Sequence, residues 1–224
     1  MSHSWNNGTV RIATAAVPPF MKNGFVVSCE ASAEGIIIDP GDEVDSLIDQ
    51  ARTAHVRVTG ILLTHAHLDH ITGVARAKAA FDVPVWLHRD DTFLYDAIVE
   101  QGLMFGLRTE RQPPVDAFYE AGVPFRFGSY VVDALHTPGH CPGGVCLAIG
   151  REGAAARELF VGDTLFAGSI GRTDLPGGDH EQLLRSITDV LLAFPDDTIV
   201  HPGHGPDTTI GRERRTNPFL GDAR

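Results

Sequence analysis

Residues 64–70 read THAHLDH and follow directly on the apolar run Gly60-Ile61-Leu62-Leu63. Three histidines and an aspartate within six positions are more coordinating chemistry than a structural turn uses. The run GILLT reads as a short, fully apolar strand, which places the donors at its C-terminal end. In extended chain, residues two apart point the same way, so His65 and His67 can grip one ion together. Asp69 and His70 come after Leu68, where the chain turns into a helix, and they aim elsewhere. The expectation is two pairs of donors facing two neighbouring points.

Each pair needs partners from distant parts of the chain. The segments TPGH and HPGH offer His140 and His204, each exposed by a Pro-Gly turn just after a strand. The segment FVGDTLF offers Asp163, a carboxylate directly after a buried strand and a glycine. One ion would take His65, His67 and His140, and the other Asp69, His70 and His204. Asp163 can bridge them, because a carboxylate has two oxygens. Such sets leave positions open for water, as a catalytic metal requires. The remaining histidines, His3, His55, His88, His136, His180 and His201, read as ordinary surface or core residues.

The 224 residues fit one domain spanning 1–224. A net charge of −11 with no basic block disfavours nucleic-acid and anionic-membrane partners. The N-terminus lacks the pattern of a secretory signal, and no apolar run approaches the length needed to cross a bilayer. Cys29, Cys141 and Cys146 form no CxxC motif, so a cytoplasmic protein with reduced thiols is expected.

Short strands dominate the first forty residues, and helices are expected at DEVDSLIDQARTA, LDHITGVARAKAAF, DDTFLYDAIVEQGLMF and DHEQLLRSITDVLLAF. Asp179 is the expected N-cap of the last, with Gln182 at the capping-box position. A hairpin is expected around Gly128-Ser129, an irregular stretch over 106–123, and a basic helix near GRERR. Strands in two groups, each followed by helices, imply an α+β protein in layers.

In the order HxHxDH, TPGH, GD and PGHG, the chain resembles the metallo-β-lactamase superfamily from about residue 9 to 220. That resemblance implies a four-layer αββα sandwich with the metals at one edge of the two sheets. All seven metal positions carry over: His65, His67, Asp69, His70, His140, Asp163 and His204. The segments GDTLFAGSIGRTDLPGGDHEQLLRSI and ERRTNPFL resemble the short glyoxalase-II-like hydrolases, also called hydroxyacylglutathione hydrolases. True β-lactamases usually lack the second histidine of the DH pair, which argues against antibiotic hydrolysis.

The resemblance implies two divalent ions, zinc first, with iron or manganese as alternatives. The implied reaction is hydrolysis of a small-thiol thioester such as S-2-hydroxyacylglutathione, through hydroxide bridging the ions and oriented by Asp69. Arg172, in GSIGRTD, and Cys141, where relatives often carry threonine, are candidate substrate contacts. The partner is thus a small molecule, and the chain is expected to be a monomer or a small homo-oligomer. Competing readings are a mononuclear iron persulfide dioxygenase, a lactonase or ester hydrolase, and a non-catalytic metal-binding module. The chain ends soon after HPGHG, with Gly205 and Pro206 in place of the GHEYT stretch of longer glyoxalase II enzymes. Its glutathione pocket is therefore expected to be reduced or different.

Overall fold

The two-residue period of the strands generates three apolar interfaces and hence four layers. In the computed structural model, which describes residues 10–221, the first sheet runs in the order β1 (Val10–Ala15), β2 (Gly24–Cys29), β3 (Glu34–Ile38), β4 (Arg57–Leu62), β5 (Val85–Leu87), β6 (Ala117–Phe118). The second runs β14 (Thr208–Thr209), β13 (Ile199–Pro202), β10 (Glu158–Gly162), β9 (Val145–Arg151), β8 (Tyr130–His136), β7 (Phe125–Phe127). A two-residue hairpin, β11 (Leu165–Phe166) with β12 (Ser169–Ile170), stands apart from both.

Alternate residues of one strand enter different interfaces. Phe25 and Val27 of β2, and Ile36 and Ile38 of β3, meet Leu147, Ile149 and Phe160 between the sheets. Their neighbours Val26 and Ile37 face the other way, onto Leu47 and Ile48 of α1 (Val44–Thr53). In the second sheet Cys146, Ala148, Leu159 and Val161 pack against Leu183 of α6 (His180–Arg185) and Ile210 of α7 (Ile210–Thr216). Strands apolar on both faces are those of a sheet covered on both sides. Each fully buried Leu, Ile or Val adds about 1.5–3 kcal/mol over leaving it exposed. This is the expected αββα sandwich.

Local structure departs from expectation mainly where helices break. LDHITGVARAKAAF is two helices, α2 (Leu68–Ile71) and α3 (Val74–Phe81). Gly73 between them donates its N–H to Pro40, and a Cβ there would lie 2.4 Å from the Gly41 carbonyl oxygen. Close approach to the 40–41 loop thus overrides helical periodicity. DDTFLYDAIVEQGLMF likewise divides into a 3₁₀ turn, α4 (Thr92–Asp96) and α5 (Ile98–Met104). The stretch 106–123 is largely irregular but contributes β6, which pairs parallel with β5. Asp179 caps α6 by accepting from the Gln182 N–H at 2.9 Å, and Gly128 turns the β7–β8 hairpin with a φ of 54°. His3 lies outside the described residues. No helix among them is long and apolar enough to cross a membrane.

His201, in β13, is buried between Glu158 at 2.9 Å and Asp207 at 3.0 Å, with Phe160 stacked on its ring. Burial opposes its charge, but the bonds to Asp207 and Glu158 outweigh burial and raise its pKa to about 9. A group held above its unfolded value of 6.5 stabilises the fold fully below that pH, and the contribution is lost as pH rises through about 9. The thermal midpoint, followed by circular dichroism, should therefore fall between pH 7 and 10 by about 2–4 °C per kcal/mol lost. His201→Gln, a neutral replacement, should lower the midpoint at pH 7 and flatten that slope. An unchanged slope would place the titration elsewhere.

Candidate metal centre

Parallel pairing places several strand ends at one edge of the sandwich, where open α/β sheets also bind their ligands. β3 and β4 are parallel neighbours in the first sheet, as are β10 and β13 in the second. Beyond β4 the chain presents Thr64, His65 and His67, then turns into α2, whose first turn carries Asp69 and His70. β10 runs directly into Asp163 and β13 into Gly203-His204. The 137–144 loop between β8 and β9, on the opposite flank of β10 from β13, brings His140. Two glycines make the approach possible. A Cβ at Gly203 would lie 2.3 Å from Asp163 Oδ1, and Gly162 adopts a φ of 49° against Thr64.

The donors gather as the two sets anticipated from their spacing. His65, His67 and His140 each offer a ring nitrogen within 4.8 Å of the others, and so do the ligand atoms of Asp69, His70 and His204. His67 Nδ1 and His140 Nε2 are 2.8 Å apart. Asp163 lies between the sets, with Oδ1 at 3.3 Å from His70 Nε2 and Oδ2 at 3.5 Å from His204 and 3.8 Å from His140. Asp69 Oδ2 is 3.1 Å from His204 Nε2.

Four buried atoms here, His65 Nε2, His67 Nε2, His70 Nε2 and Asp163 Oδ1, have no hydrogen-bond partner among the described residues. Leaving such atoms unsatisfied costs about 1–3 kcal/mol each, so their convergence fits a site built for cations. The imidazole and carboxylate donors suit zinc or iron, and manganese less well.

Electrostatics separates the two sets. Burial first, and neighbouring imidazoles second, push His65 far down and His67 to about 3, so both are neutral donors. Burial presses on His70 too, but Asp69 and Asp163 outweigh it and hold that imidazole at about 10. Burial works against the charge of Asp163 as well, yet the charge of the facing His70 imidazole keeps this carboxyl below the usual range. The first set is a neutral nitrogen face and the second an ion-paired one that must release a proton to ligate.

Behind the ligands stand residues whose role the spacing did not disclose. Asp39, at the end of β3, accepts from the Thr64 N–H at 2.7 Å, the Thr64 hydroxyl at 2.6 Å and His70 Nδ1 at 2.9 Å. His65 Nδ1 meets Thr64 Oγ1 at 3.1 Å, and His140 Nδ1 donates to the Arg172 carbonyl at 2.7 Å. With Nδ1 engaged in all three rings, Nε2 is left to face the site, as outer partners of metal ligands arrange. One signal was present: GIIIDPG repeats the strand-then-aspartate pattern that singled out Asp163 in ELFVGD.

Asp91 had no such signal. Fully buried, it accepts from the N–H groups of Ala66 at 2.9 Å and Gly143 at 2.6 Å, and from the Cys141 thiol at 3.2 Å. It joins the loop bearing His65 and His67 to the loop bearing His140. Gln101 of α5 adds a second brace, accepting from Leu68 N–H and donating to the Ala66 carbonyl, each at 3.0 Å.

Cys141 was a candidate substrate contact, and its position corrects that reading. It is fully buried behind the cleft, and burial followed by Asp91 pushes its thiol far up. Arg172 does reach the cleft rim, where it is exposed and paired with Asp174 by two bonds of 2.7 Å. His88 and His136 stack at 4.2 Å with faces 8° apart. Their nitrogen lone pairs therefore lie in separate parallel planes and do not converge on an ion.

Asp91→Asn sets an NH₂ group against donors on every side, and Asp91→Ala leaves two buried N–H groups unsatisfied. Both should lower the melting point of the metal-free protein, by about 1–3 kcal/mol for the asparagine. Loosening the loops should also weaken metal binding about tenfold or more in chelator competition. Unchanged metal affinity in both variants would show that Asp91 braces the fold without serving the site.

The family model described as metallo-beta-lactamase superfamily matches residues 17–204. The chain is 41% identical over 191 residues to the hydroxyacylglutathione hydrolase GloC of Haemophilus influenzae, covering 82% of this chain and 86% of that one. Among solved structures it is similar to the BLEG-1 B3 metallo-beta-lactamase, with a TM-score of 0.86 and 37% identity over 94% of this chain and 99% of that one. TTHA1623 in a di-iron-bound form gives a TM-score of 0.81 and 41% identity over 93% and 100% of the two chains. ETHE1 from Myxococcus xanthus gives 0.76 and 26% over 92% and 83%. A family match across most of the sequence, on a fold with these two donor sets at its edge, makes this chain a member of the metallo-beta-lactamase superfamily.

Proposed function

We propose that this chain is a binuclear metal-dependent hydrolase of small-thiol thioesters, of the glyoxalase-II-like type. The observation that carries the reading is the pair of donor sets around Asp163 at the floor of a cleft that, among the described residues, offers no free general acid. The polar residues lining that cleft are His67, Asp69, Gln101, His140, Asp163, Arg172 and His204. Five of them belong to the donor sets. Gln101 is held by backbone groups, and Arg172 cannot give up its proton near neutral pH.

A leaving group that departs as an anion suits such a site. A thiolate, with a thiol pKa of about 8.5, meets that requirement. The amine of a β-lactam and the alkoxide of an ordinary ester need a proton, so thioesters rank first. The likeness to GloC, named a hydroxyacylglutathione hydrolase, supports this order.

His65, His67 and His140, and Asp69, His70 and His204, with Asp163 between them, would hold divalent ions that would supply Lewis acidity and an acidified water. Asp69 sits at the cleft floor, 3.1 Å from His204, placed to orient the attacking water. Apolar residues line the walls above it. In the balanced reaction, water adds its oxygen to the carbonyl carbon and the C–S bond breaks. One water proton ends on the thiol, and the other is lost from the new carboxylic acid.

Metal analysis and thioester hydrolysis measured on the same preparation test this reading. Two equivalents of metal per chain are expected, with thiol release that chelation abolishes and divalent ions restore. Asp163→Ala should lower metal content and remove several kcal/mol of transition-state stabilisation, a loss of about 10³-fold in kcat/KM. Full activity in that variant would overturn the bridging role. One iron per chain with thiol-dependent oxygen uptake would assign persulfide oxygenation instead. Turnover of a β-lactam but no thioester would assign the lactamase reaction.

A further inference from the structure

Above the donor sets the cleft wall is apolar. Phe20, Leu94, Met104, Phe105, Leu175 and Pro176 form it, and the Phe20 and Phe105 rings meet edge to face at 6.0 Å. Met104 and Phe105 keep 67% and 48% of their surface exposed, an unusual investment of large apolar groups on the approach to a polar site.

Charge is scarce along the same wall. Among the described residues lining the cleft, Arg172 is the sole Lys or Arg, and it is already paired with Asp174. Lys22, nearby in the fold, is buried against Glu43 and the Asp39 carbonyl. Glutathione carries two carboxylates beside its ammonium group, and a chain of net charge −11 offers the carboxylates little. The exposed Arg172 pair opens at small cost, enough for one anionic group at the rim. A second carboxylate laid against Phe105 or Leu175 would give up hydration with nothing in return.

From this wall we infer that the thiol carrier of the preferred substrate is uncharged and apolar rather than glutathione. The inference rests on the thioester reading above and narrows it. The acyl carbonyl sits at the floor beside Asp69 and Asp163, while the carrier arm lies along Phe20, Met104, Phe105 and Leu175. The wall continues directly from the donor sets, so an occupant joined to the reacting carbonyl covers it during turnover.

The test compares two lactoyl thioesters on the metal-loaded protein, S-lactoylglutathione and S-benzyl thiolactate. Each kcat/KM is divided by the rate of the same ester with free hydroxide, which removes differences in leaving group. The benzyl ester should exceed the glutathione ester by about tenfold or more. Met104→Lys, at an exposed position, should lower the benzyl ester about fivefold and raise the glutathione ester. Leu103→Lys, equally exposed but outside the cleft lining, should change neither.

A glutathione ester hydrolysed as well as the benzyl ester overturns the apolar carrier and leaves the thioester reading standing. Turnover of neither overturns both. Sedimentation of wild type and Met104→Lys closes the remaining route: a dimer that the lysine dissociates would assign the wall to a second copy of the chain and overturn the proposal.

Discussion

Gathering five imidazoles, four of them buried, and two half-buried carboxylates at the edge of an apolar sandwich is the constraint on which the rest of this structure depends. Polar groups out of water must be bonded or neutralised, and here several ring nitrogens face inward with no protein partner. The chain answers with an outer ring of acceptors. Asp39, Thr64 and the Arg172 carbonyl engage the Nδ1 atoms of the ligand rings and leave Nε2 toward the centre. What remains unsatisfied is what a divalent cation would satisfy.

That arrangement requires loops held as firmly as strands. The 64–68 and 139–144 loops are far apart in sequence, and the carboxylate of Asp91 ties them through backbone N–H groups. A neutral acceptor could not serve three donors so well in so dry a place, which is why an acid is buried there. Gly162 and Gly203 make the complementary concession by removing side-chain bulk where Thr64 and Asp163 come close.

Much of this was legible in the sequence, for reasons that differ by element. The apolar strands could be read because they are buried on both faces, and their alternate residues then sort into the sandwich interfaces. The ligand motif could be read because its spacing expresses strand geometry before Leu68 and helical turning after it. Helix ends were less legible. Gly73 interrupts a regular pattern to let Pro40 and Gly41 approach, a tertiary contact with no local signature. The place of Cys141 is illegible for the same reason: adjacency to His140 in sequence says nothing about which side of the loop its thiol takes.

The sequence by itself determined the layered α+β class and which side chains stand as candidate donors. Those properties follow from periodicity and residue chemistry, which are local. Only the tertiary structure decided that Asp39 orients His70, that Asp91 and Gln101 brace the ligand loops, and that Phe20 and Phe105 meet across the cleft from opposite ends of the first sheet's excursions. These are contacts between residues distant in the chain. They exist because packing two sheets and their helices leaves one edge where those side chains must share space.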